Sequence, residues 1–111
     1  MPVEGRWYEF TREKILALES DLVGIYTISD NDKIPVYIGS SRESNIRGRL
    51  LSHLSKNECC KINGRYFKYS LAGDSEDAEQ MEAKAVFAHM RKHNKRPICL
   101  KRFPRLYFDL F

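Results

Sequence analysis

Tyr26 and Tyr37 each share a tripeptide with a glycine, Gly24-Ile25-Tyr26 and Tyr37-Ile38-Gly39, with ten residues between the tyrosines. Behind them comes Asn45-Ile46-Arg47-Gly48-Arg49-Leu50-Leu51-Ser52-His53, and later an acidic block of Asp74, Glu76, Asp77, Glu79 and Glu82. These side-chain types suit chemistry on a phosphate. An arginine fork matches two phosphate oxygens. A phenol, with a pKa of about 10, accepts a proton only where neighbouring cations pull that value down. One carboxylate with several waters suits Mg²⁺, which keeps much of its hydration shell. Each residue also has a plainer use. Strand tyrosines usually pack with a satisfied hydroxyl, and helix glutamates and histidines usually face solvent.

Position decides between these uses. Leu22, Val23, Ile25, Thr27 and Ile28 favour a strand, as do Ile34, Val36, Tyr37 and Ile38. The run Ser29-Asp30-Asn31-Asp32-Lys33 between them is a turn. Strand side chains alternate in direction, so Gly24, Tyr26 and Ile28 share one face, and Tyr37 and Gly39 share one on the second strand. A hairpin brings the two phenols together on an open surface. Asn45 is the N-cap of a helix reaching about Lys56, with Ile46, Leu50, Leu51 and Leu54 on its buried side. Arg49 and His53 lie one turn apart on one face of that helix, which Arg47 does not share.

The two tripeptides at this spacing, followed by Asn-Ile-x-x-Arg-Leu-x-x-His, resemble the GIY-YIG nucleases, a family of metal-dependent DNA phosphodiesterases. The resemblance runs from about residue 22 to residue 97. It implies that Tyr26 and Tyr37 bind and activate the attacking water, with Tyr26 preferred as proton acceptor and Tyr37 as positioner. It implies that Arg49 is the catalytic arginine. A fixed count from Tyr37 selects Arg47, but the Arg-Leu-x-x-His pattern selects Arg49, leaving Arg47 as a phosphate contact or a solvated side chain. His53 matches a histidine that bonds a tyrosine hydroxyl or helps bind phosphate. The family's metal ligand is a glutamate followed by apolar residues three and four positions on. Glu82, with Ala85 and Val86, fits better than Glu79, with Glu82 and Ala83. The implied cofactor is Mg²⁺ or Mn²⁺. Two departures stand out. Ile98-Cys99-Leu100 follow Pro97 where many members have an asparagine, and Ser40 stands where repair members carry a lysine.

Around this core the sequence predicts a helix over 11–20, with Thr11 as N-cap and Phe10 and Ile15 as a hydrophobic staple. Trp7, Tyr8 and Phe10 pack back on the body. Residues 57–64 read as a polar turn and 65–71 as a third strand. A long helix runs over 75–93, with acidic first turns, basic last turns and a capping-box pattern at Asp77 and Gln80. Residues 98–111 form a basic extension, with a short strand or helical turn over 106–110. The whole is one α/β (α+β) domain over 1–111, a three-stranded antiparallel sheet flanked by helices.

With 111 residues there is room for one core, and the net charge of +4 is unevenly spread. Arg91, Lys92, Lys95, Arg96, Lys101, Arg102 and Arg105 follow one another with no acidic residue among them. With Arg47, the first six are the candidate nucleic-acid contacts. Phe103, Tyr107 and Phe108 could stack on bases, although packing suits at least two of them better. His89 and His93 are spaced to share a metal, but with Cys59, Cys60 and Cys99 they make no zinc pattern. Three cysteines, two of them adjacent, point to a reducing, intracellular setting rather than a disulfide framework. No apolar run could span a bilayer and no leader opens the chain.

The expected activity is Mg²⁺-dependent DNA cleavage leaving 5′-phosphate and 3′-hydroxyl ends. Its specificity would come from loops, from a homodimer or from a protein partner. The alternative is a non-catalytic nucleic-acid-binding module or a regulatory subunit of the same fold.

Overall fold

The computed structural model describes residues 5–110, so the ends of the expected 1–111 domain and 98–111 extension fall outside the described residues. In chain order it contains β1 (Tyr8–Glu9), α1 (Arg12–Leu16), β2 (Gly24–Ser29), β3 (Pro35–Ser40), α2 (Ile46–Lys56), α3 (Glu58–Asn63), β4 (Tyr66–Leu71), α4 (Ser75–His93) and a closing 3₁₀ turn, Tyr107–Leu110. The sheet is antiparallel and has four strands in the order β1-β4-β2-β3, not three. The added strand has a physical cause. Tyr8 stacks on Phe67 and Tyr69, at 5.4 and 6.2 Å between ring centroids, which lays β1 along the outer edge of β4.

Alternation along β2 divides the core into two layers. Tyr26 and Ile28 pack with Phe10, Ile15, Ile46, Leu50 and Phe67 on one face of the sheet. Ile25 and Ile38 pack with Ala85, Val86, Leu100 and Tyr107 on the other. Helices α1, α2 and α3 therefore cover one face and α4 the other, and every residue of β2 is buried. None of the described helices is long and apolar enough to cross a membrane.

Local chemistry sets most helix boundaries. Thr11 caps α1 through the Lys14 amide, and Phe10 and Ile15 share one core cluster. The helix stops at Leu16, short of the expected residue 20. The Leu18 carbonyl is taken by Arg47 Nη1, at 3.3 Å, rather than by a helical amide. Asn45 caps α2 through the Gly48 amide at 2.7 Å. The segment read as a polar turn is the short helix α3, capped by the Asn57 side chain on the Cys60 amide. Helix α4 has the expected span, but its cap is Asp74, which accepts from the Asp77 amide at 2.8 Å; Asp77 lies inside the first turn. Asn94 closes α4 in the left-handed conformation, φ 56°.

The cysteine reading needs a correction. Cys59 and Cys99 form a disulfide, with Cα atoms 5.6 Å apart, and only Cys60 is free. Adjacency concealed this, because on α3 Cys60 turns into the core while Cys59 faces the returning chain. The bridge fastens the 98–110 extension to α3 and closes a loop of sequence separation 40. A reductant is expected to remove about 4 kcal/mol of stability through the loop entropy released, lowering Tm by on the order of 10 °C. Calorimetry with and without dithiothreitol, beside Cys99→Ser, checks this; equal Tm values would refute it.

Candidate active site

Register puts the two tyrosines side by side. Tyr26 pairs with Gly39 and Ile28 with Tyr37, so both phenols rise from the face covered by α2. Their rings stack at 6.2 Å with 14° between planes. Gly39 is the space they occupy: a Cβ there would stand 2.6 Å from Tyr26 Oη and 2.8 Å from Tyr37 Cε1. A Cβ at Gly24 would collide with the Ser70 carbonyl of β4. The glycines of the two tripeptides are thus requirements of close approach. Gly39→Ala is expected to cost about 1–3 kcal/mol through overpacking and to push both phenols out of place. Urea unfolding checks the first effect and the NMR shifts of the two tyrosine rings the second.

The tyrosines differ in access, contrary to the expectation of two phenols on an open surface. Tyr26 is fully buried, and burial, followed by the neighbouring Tyr37, drives its pKa well above the usual phenol value. Tyr37 is half-buried and lines a groove of about 990 Å³. Its pKa is also raised, by burial first and then by Glu82, against the pull of Arg49 and Arg42.

Helix α2 supplies the next two groups. His53 Nε2 lies 2.7 Å from Tyr26 Oη, and the imidazole sits 4.2 Å from the Tyr37 ring. Burial, with Arg49 nearby, lowers the His53 pKa to about 4, so the ring is neutral at pH 7. Arg49, one turn earlier, lies beside the Tyr26 hydroxyl and pulls that phenol's pKa down against burial. Its Nε is buried and has no partner. Arg47 points away, to the end of α1. The structure thus groups Arg49, not Arg47, with the tyrosines.

Glu82 arrives from the other side of the sheet. β3 is the edge strand, so α2 on one face and α4 on the other reach the same rim. Glu82 is 3% exposed and lines the groove with Tyr37 and His53. Burial raises its pKa against the pull of Arg42 and Arg49. The Ser40 hydroxyl lies close enough to lower that value somewhat, yet forms no well-aligned hydrogen bond and is itself buried without a partner. Glu79 is engaged elsewhere: its carboxylate holds Arg105 at 2.9 Å, which keeps its pKa low. No group of three or more His, Cys, Asp or Glu that could hold a metal occurs among the described residues. A hydrated Mg²⁺ needs fewer, and one buried carboxylate opening on a groove fits it.

The basic run does not stay together. Lys101, Arg102 and Arg105 line the groove beside Glu82, joined by Lys56 of α2 and by Arg42. Lys92 lines a separate cleft with Trp7, Lys33, Lys68, His89 and His93. Arg91 lies over the Phe87 ring, Arg96 donates to the Lys101 carbonyl at 3.1 Å, and Lys95 is exposed. Phe103 and Tyr107 stack at 4.4 Å, while Phe108 is largely exposed. His89 is buried with both ring nitrogens unpartnered and a pKa lowered to about 4 by burial and its cationic neighbours.

Sequence reasoning missed Arg42 and Lys56. Arg42 has a left-handed backbone, φ 52°, and Ser75 Oγ donates to its carbonyl at 2.6 Å. Their signal was a lone basic residue in the loop after Gly39 and another at the end of α2.

No protein-family model and no curated protein matches the chain. Solved structures do. One is the GIY-YIG N-terminal endonuclease domain of UvrC from Thermotoga maritima, bound to its catalytic divalent cation, magnesium. It is 22% identical with a TM-score of 0.60, over 80% of this chain and 93% of that one. A point mutant of the same domain, bound to its catalytic divalent cation, is 24% identical with a TM-score of 0.61, over 82% and 94% of the two chains. At such identities the likeness is one of fold, and the chain has the fold of a GIY-YIG domain.

Proposed function

We propose that this chain is a metal-dependent endonuclease that hydrolyses DNA phosphodiester bonds and leaves 5′-phosphate and 3′-hydroxyl ends. The observation that carries this reading is convergence. Two phenols, a neutral imidazole, an arginine beside them and a buried carboxylate meet at one sheet rim, next to a groove walled by five cations.

Glu82 would hold the divalent cation, which when bound polarises the scissile phosphate and stabilises the departing 3′ oxygen. Arg49 presents its guanidinium to the phosphate and neutralises charge that grows as water attacks. Of the two tyrosines, Tyr37 lines the groove, so it binds the attacking water and accepts its proton, the role that the sequence reading preferred for Tyr26. Glu82 raises the Tyr37 pKa while its charge is bare, an influence that would be offset if Glu82 held a cation. Tyr26 stands behind, bonded to His53 and close to Arg49. Lys56, Lys101 and Arg102 receive the flanking strand through its phosphates.

Supercoiled plasmid with Mg²⁺ or with EDTA tests this. The expected result is Mg²⁺-dependent nicking whose nicks DNA ligase reseals. Salt-sensitive binding without cleavage would favour a non-catalytic module instead.

A further inference from the structure

Asn57 belongs to no motif in the sequence, yet hydrogen bonds from three directions meet on it. Its backbone N–H donates to the His53 carbonyl at 3.3 Å and ends α2. Its side-chain Oδ1 accepts from the Cys60 amide at 3.1 Å and starts α3. A carboxamide has one oxygen and one amino group, so with Oδ1 committed to a backbone donor the amino group must face the other way. There Nδ2 stands 3.3 Å from His53 Nδ1.

An amino group donates, so Nδ1 of His53 is the bare, accepting nitrogen. The Cys60 sulfur, 4.0 Å from the same nitrogen, agrees with this, because burial pushes its pKa up to about 12 and keeps it a thiol. A neutral imidazole carries one proton, which must then sit on Nε2, the atom 2.7 Å from Tyr26 Oη. His53 therefore donates and Tyr26 accepts.

We propose that Asn57 is a positioning residue: it fixes His53 as the Nε2–H tautomer and so sets the direction of the His53–Tyr26 hydrogen bond. The consequence follows from counting protons. A phenol has one hydrogen to give, and while His53 donates to Tyr26 that hydrogen is available to a partner other than His53. In the opposite tautomer Tyr26 spends it on Nε2. The bearing on rate rests on the nuclease reading; the tautomer itself does not.

Two-bond ¹H–¹⁵N correlation spectra of His53, recorded at pH 8 in EDTA, test the assignment without any reaction. The wild-type chain should show a protonated Nε2 and a bare Nδ1. Asn57→Asp keeps an oxygen for the Cys60 amide, aspartate being as good an N-cap, and turns a second oxygen towards Nδ1. The tautomer should then invert to Nδ1–H. In plasmid nicking the same variant should lose kcat by about 10- to 100-fold, as partners that orient a ligand or base typically do, with KM for DNA unchanged. Asn57→Gly, a permitted cap with no side chain to touch His53, separates loss of the cap from loss of the tautomer lock: it should give mixed tautomers at nearly unchanged Tm. An Nδ1–H wild type, a retained Nε2–H in Asn57→Asp, or an inverted tautomer with undiminished kcat would overturn the proposal. If the tautomer inverts and neither protein cuts DNA, the assignment of the tautomer stands and the nuclease reading falls.

Discussion

Glu82→Gln is expected to abolish Mg²⁺-dependent nicking, a loss of ~10³-fold or more on the proposal that Glu82 holds the divalent cation. Stability should move the other way. The Glu82 pKa is raised in the folded chain, so folding favours the protonated carboxyl. The unfolded chain then binds fewer protons through the window between the unfolded and folded values, and Glu82 lowers stability as pH rises through it. At pH 7 the neutral glutamine removes that cost, so Tm in EDTA should be higher than for the parent chain. Mg²⁺ should raise Tm of the parent and leave the variant unmoved, since only a bound ion shifts the unfolding equilibrium. Glu79→Gln should cost a few-fold at most, because Glu79 is already engaged by Arg105. Loss of nicking in Glu79→Gln together with activity in Glu82→Gln would exchange the two assignments.

Arg49→Ala is expected to reduce nicking by ~10³-fold, the scale of removing one preorganised donor from a developing anion. Arg49→Lys should recover little, because an ammonium lacks the flat fork. An independent signature lies in His53. Arg49 is one of the causes holding its pKa near 4, so Arg49→Ala should let that value rise, measurable by NMR titration. Arg47→Ala should leave nicking nearly intact and loosen the end of α1, whose Leu18 carbonyl it binds. If Arg47→Ala were the inactive variant and Arg49→Ala the active one, the site would be built on the wrong turn of α2.

Much of this arrangement was legible because it is local. The alternation Gly24-Ile25-Tyr26 and Tyr37-Ile38-Gly39 gives strand faces directly; Asn45 marks the start of α2 by a side-chain bond and Asn94 the end of α4 by its tolerance of the left-handed backbone, neither needing a distant partner. What was hidden depends on contacts across the fold. β1 is too short to announce itself and exists because Tyr8 finds Phe67 and Tyr69. The Cys59–Cys99 bridge joins residues that no spacing pairs. Burial of Tyr26 follows from α2 lying over it, a docking that periodicity cannot supply, so the expectation of two phenols on an open surface holds for Tyr37 only in part and for Tyr26 not at all. The basic run read as one surface, but α4 ends and the chain turns at Asn94. Lys92 and Lys101 consequently face different clefts.

The strand order β1-β4-β2-β3 places Tyr26 on an interior strand, paired on both sides and covered on both faces. Amides in such a position exchange with solvent only when the entire sheet opens. Tyr26 is therefore carried by the part of the molecule that comes apart last, whereas the groove's outer wall lies outside the sheet, tied to it by Leu100 and Tyr107 in the second core layer, by the Cys99 amide on the Val36 carbonyl at 2.8 Å and by the Cys59–Cys99 bridge.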